Sequence, residues 1–83
     1  MPTVVREEGF EIMVLTSPEH PPPHVHVYKA GAECRVLLGD EASPPRLWDV
    51  KGMRLKDARD ALALVHRYHA QCLNVWRKYN GSL

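Results

Sequence analysis

The spacing of apolar residues changes near residue 54, and this change limits the fold more than any other feature. Before it, apolar side chains recur at every second position; after it, they recur about every 3.6 positions. Phe10, Ile12 and Val14 alternate with Glu11, Met13 and Leu15 over residues 9–16, with apolar weight on both faces. Val25 and Val27 alternate with His24, His26 and Tyr28, and Cys34, Val36 and Leu38 share one face of residues 33–38. A loop over residues 39–45 precedes a short strand at 47–50. Beyond it, Leu55, Ala58, Leu62, Val65, His69, Cys72, Leu73 and Trp76 form one stripe of a single helix over residues 55–79.

The middle of the chain tests its own register. If Ala30 and Gly31 form a two-residue turn, Val27 faces Cys34 and Val25 faces Val36, while Tyr28 faces Glu33 and His26 faces Arg35. Apolar meets apolar and polar meets polar at every pair, as antiparallel pairing requires. The spacing therefore predicts an α+β fold in one domain, residues 1–83. An antiparallel three- or four-stranded meander over about residues 3–50 packs on one long C-terminal helix. One sheet face is core; the open face gathers Met13, Leu15, His24, His26, Tyr28, Arg35 and Leu37.

The helix carries further expectations. Asp57 and Asp60 stand near its start and Arg77 and Lys78 near its end, which suits the helix dipole, and Asn80-Gly81 stops it. A rod of roughly 37 Å exceeds a domain whose radius of gyration should be about 12 Å. One end is expected to overhang. Leu64, Tyr68 and Val75 widen the apolar arc, which predicts a second partner surface, with a homodimer as its simplest form.

Composition excludes several classes. The 83 residues carry a formal charge of +1, so no overall field favours nucleic acid or a membrane. Residues 54–79 are locally basic, with six Lys and Arg against two Asp, so RNA binding through that helix face stays open. No apolar run is long enough to span a bilayer. No leader with a cleavage site opens the sequence, so a cytoplasmic protein is expected. Cys34 and Cys72 are too few for a disulfide framework and are not spaced as zinc ligands; both point inward and read as buried thiols.

The run EHPPPHVHV at residues 19–27 has the strongest individual character. His24 and His26 project from the same side of a strand, with α-carbons roughly 6–7 Å apart. Two imidazoles so placed can share a divalent ion such as zinc. A third donor is needed, and the prolines hold His20 about 12 Å away along a polyproline path, leaving Glu19, Glu33 or a partner chain to supply it. Arg35, opposite His26, opposes a cation there. The same residues also suit a metal-independent ribonuclease: one histidine as base, the other as acid, Arg35 on the phosphate, and Tyr28 stacking a base.

The plainer reading makes these histidines half-exposed residues on an open sheet face. His69 then reads as a core histidine with its ring satisfied, and His66 as an exposed helix residue. Trp48 and Trp76 read as core or interface anchors. No phosphate loop, nucleophile elbow or dinucleotide fingerprint is present.

Met1-Pro2-Thr3-Val4, the following strand, the EHPPPHVHV run and a C-terminal helix bearing Trp76 resemble a small bacterial family, the domain of unknown function numbered four-one-six-zero. His20, His24, His26 and the intervening prolines match its signature, whereas residues 39–53, with Pro44, Pro45 and Trp48, depart from its pattern. Its members are often encoded beside another short protein, in gene pairs of toxin–antitoxin type. The resemblance thus implies a small co-encoded partner, and the open sheet face, with His20, His24, His26, Tyr28 and Arg35, is the expected partner or ligand face. It assigns no catalytic residue; the enzyme reading rests on His24, His26 and Arg35.

Overall fold

The computed structural model describes residues 2–15 and 22–80. Five strands form one antiparallel sheet in chain order: β1 (Thr3–Glu7), β2 (Phe10–Met13), β3 (His24–Lys29), β4 (Ala32–Leu37) and β5 (Arg46–Lys51). Two helices follow, α1 (Leu55–Arg67) and α2 (His69–Asn80). The α+β class and the meander agree with the sequence reading. The strand count and the single helix do not.

The missed strand is β1, and the reason is its turn. Glu7 pairs with Phe10 across Glu8 and Gly9, both at positive φ (55° and 82°). Such two-residue hairpin turns favour Asn-Gly or Asp-Gly, so Glu-Gly gives a weak signal. The β3–β4 hairpin uses the same device. Ala30 (φ 50°) and Gly31 (φ 82°) connect Lys29 to Ala32. Its four expected pairs, Val27–Cys34, Val25–Val36, Tyr28–Glu33 and His26–Arg35, are all present.

The expected single helix is divided at Tyr68, whose backbone leaves the helical region (φ −109°, ψ 26°). Its N–H is shared between the carbonyls of Leu64 and Val65, both at 3.2 Å. Its hydroxyl donates to Glu7 Oε1 at 2.6 Å, and Arg67 Nη1 reaches Glu7 Oε2 at 2.5 Å. The break is thereby fastened to β1. It also removes the overhang: the longest dimension of the molecule is 32 Å and the radius of gyration 11.5 Å.

Both helices cover the same sheet face, α1 against β4 and β5 and α2 against β1 and β3. The core joins Phe10, Ile12, Val14, Val25, Val27, Cys34, Val36 and Leu38 to Ala58, Ala61, Leu64, Val65, Cys72, Leu73 and Trp76. Leu64 is therefore core, and Tyr68 and Val75 pack against it. The expected second apolar helix face is not formed, because a five-stranded sheet uses the whole arc. Leu55, expected on the buried stripe, is 59% exposed where α1 begins.

Candidate functional site: the histidine face

Register places the site residues in rows across the sheet face opposite the helices. Met13, His26, Arg35 and Asp49 form one row; Glu11, Tyr28 and Glu33 form the next; His24 lies beside Leu37, which lies beside Arg46. The β4–β5 register shifts between Arg35 and Val36, so Trp48 is the extra residue of a bulge. Bulges at sheet edges re-aim side chains. Here the bulge turns Trp48 back over the same face as Asp49, against Arg35 and His24.

Arg35 is held twice. Its Nε donates to both Asp49 oxygens at 2.9 and 3.0 Å, and Nη2 also donates to Oδ2. Its guanidinium lies 4.2 Å from the centre of the Trp48 ring, a cation–π arrangement. The hydrogen bonds from Arg35 lower the Asp49 carboxyl below its ordinary range, and the charge of Arg35 adds to this.

The histidines are not half-exposed. His24 is 3% and His26 8% exposed. The His24 ring lies 5.0 Å from Trp48, 5.1 Å from Trp76 and 5.1 Å from His26, while His26 stacks on Tyr28 at 6.3 Å. Trp48, turned back by the bulge, and Trp76, reaching from α2, flank His24 from two elements. Each Nδ1 has an acceptor, so each donates its proton. His24 bonds the Pro22 carbonyl at 2.9 Å, and His26 bonds Glu33 Oε2 at 2.8 Å. His20 and Glu19 lie outside the described residues.

Among the described residues no group of three or more His, Cys, Asp or Glu could hold an ion. Glu33, one of the third donors considered from sequence, accepts from His26. Burial pushes the thiols up, Cys34 to about 11 and Cys72 to about 12, so both are neutral near pH 7 and poor nucleophiles or ligands.

The remaining site residues divide in two. His69 is satisfied as expected, its Nε2 2.5 Å from the Leu38 carbonyl, though it is half-buried rather than core. His66 is exposed. Trp48 is no core residue: it is 40% exposed. Sequence reasoning missed Asp49 altogether, and only an expected bulge at residues 47–49 could have placed it beside Arg35.

No curated protein and no solved structure matches this sequence. Residues 9–77 match the family model described as Domain of unknown function (DUF4160), and the chain belongs to that family.

Proposed function

We propose that this chain is a non-enzymatic protein-interaction module whose open sheet face binds a small co-encoded protein, as one member of a toxin–antitoxin-like pair. The observation that carries the reading is the Trp48–Arg35–Asp49 assembly. Trp and Arg are the side chains most often found at the energetic centre of protein interfaces. Here both are pre-positioned, Arg35 by Asp49 and Trp48 by Arg35 and His24, so little rotamer entropy remains to be lost on binding. The buried histidines act as the rigid floor of this platform. Tyr28 and Glu33, half-buried on the same face, extend it. A cytoplasmic setting suits the two buried, free thiols.

Titration of the co-encoded neighbour protein into the purified chain, followed by calorimetry and native mass spectrometry, tests this. Trp48→Ala and Arg35→Ala should each lower affinity roughly tenfold or more. Absence of binding, or unchanged affinity in both variants, ends the reading.

The histidine-ribonuclease alternative has one observation in its favour: Glu33 orients His26 as a carboxylate orients the base in catalytic dyads. Its difficulty is access. A general acid and base must both reach the phosphodiester, and both rings lie behind Trp48 and Tyr28 with little exposed surface.

A further inference from the structure

The two edges of the sheet differ. The β1 edge is fastened by both helices: Gln71 Nε2 of α2 donates to the Val4 carbonyl at 3.4 Å, and Arg67 and Tyr68, at the end of α1, hold Glu7. Among the described residues, no strand pairs with the outer edge of β5. Four large apolar side chains are exposed among these residues, and three of them, Trp48, Val50 (38%) and Leu55, fall between positions 48 and 55. An uncovered edge strand flanked by exposed apolar side chains is a template for further strand pairing.

We propose that a second copy of this chain pairs with β5, antiparallel about a two-fold axis through Val50, giving a continuous ten-stranded sheet in a homodimer. The register follows from charge. With Val50 facing Val50 of the second copy, Asp49 on each chain faces Lys51 on the other, twice by symmetry. Asp49 and Lys51 have the same parity along β5, so both project on the open face, and opposite charges directly across a strand pair are favourable.

The alternatives are poorer. Centring the axis on Asp49 sets two carboxylates opposite each other. Facing Leu47 with Val50 sets Arg46 against Lys51 twice. Pro44 and Pro45 stand just before the strand, the bulge at Trp48 interrupts its first half and Gly52 (φ 73°) ends it, so the pairing is confined to residues 49–51. The dimer goes beyond the proposed partner binding. It places both Trp48–Arg35 platforms on one two-fold surface, so a co-encoded partner would be taken up in equal numbers of chains.

Sedimentation equilibrium on the chain alone, across a dilution series, separates this from partner binding. The wild-type chain should have twice the chain mass at high concentration and dissociate on dilution. The Val50 and Lys51 amides point to opposite edges of β5, and only the one on the outer edge should lose hydrogen-exchange protection in step. Val50→Arg and, independently, Lys51→Asp should each weaken dimerisation at least tenfold while leaving the far-ultraviolet circular dichroism unchanged. If Val50→Arg disturbs the fold, exposed Lys51 decides. A wild-type monomer at the highest concentration, or a dimer insensitive to Lys51→Asp, overturns the proposal.

Discussion

The Arg35 guanidinium lies 4.2 Å from the centre of the Trp48 ring, and its Nε and Nη2 edge is held by Asp49. Two residues of one edge strand thus fix an arginine of the strand beside it. Because all three side chains are partly exposed, the pair should contribute modestly to stability. A double-mutant cycle of Arg35→Ala and Trp48→Ala, read by urea denaturation, should give a coupling of about 0.5–1 kcal/mol. Strictly additive effects would show that the stacking is not populated in solution.

Burial reverses the expected behaviour of histidine variants. Half-exposed catalytic histidines could be replaced without loss of stability, but His24 and His26 pack among Trp48, Trp76 and Tyr28. His24→Ala and His26→Ala should each destabilise the fold by about 2 kcal/mol. The wild-type chain should show no RNA cleavage for these substitutions to remove. Cleavage lost at unchanged melting temperature would instead restore the ribonuclease reading.

Leu64 and Tyr68 separate core from fastening. Leu64→Ala opens a cavity under the sheet and should cost about 2–5 kcal/mol. Leu64→Glu should prevent folding, since no partner awaits a carboxylate there. Tyr68→Phe removes only the hydroxyl bond to Glu7 and should cost about 1 kcal/mol. Thermal melts of the three variants check this order.

Both hairpin turns place a residue with a side chain in the left-handed region, at Glu8 and Ala30. Asn tolerates that region better than either. Ala30→Asn and Glu8→Asn should each stabilise by about 0.5–1 kcal/mol, against the cost of about 1 kcal/mol or more for an ordinary residue there. Unchanged or lower denaturation midpoints would contradict this.

Acid sensitivity has a defined direction. Side-chain hydrogen bonds from Arg77, and then a backbone hydrogen bond, hold the Glu41 carboxyl at about 2, below the ordinary 4.5. A group whose folded value is depressed stabilises the fold above its unfolded value, and the contribution is lost as pH falls through the folded one. Asp49 shifts the same way through Arg35. The melting temperature should therefore decline as pH falls from about 4.5 towards 2, and Arg77→Gln should flatten part of that decline. As Glu41 and Arg77 are exposed, the change should be small.

The parts of the fold legible in the sequence are those set by local chemistry. The β3–β4 pairing was readable because Ala30-Gly31 and the alternation on both sides admit one register. The β1–β2 hairpin was not, since Glu8 conceals an equivalent turn. Nothing near Tyr68 signals a helix break; it has no Gly or Pro, and its fastening point, Glu7, is 61 residues away. The exposure of the histidines was misjudged for a similar reason. Alternation correctly put them on the face opposite the helices, but it gave no sign that Trp48, turned by a bulge, and Trp76, brought from the last helix, pack on His24 while Tyr28 stacks on His26.

The bond between Glu7 and Tyr68 also bears on the order of events during synthesis. The first strand leaves the ribosome long before the residues that fasten it, so until they emerge its outer margin has no helix to hold it. Closure of that margin must wait until α2 has cleared the exit tunnel. The N-terminal strand should therefore be the last element to become resistant to proteases in a stalled-chain series, although it is made first.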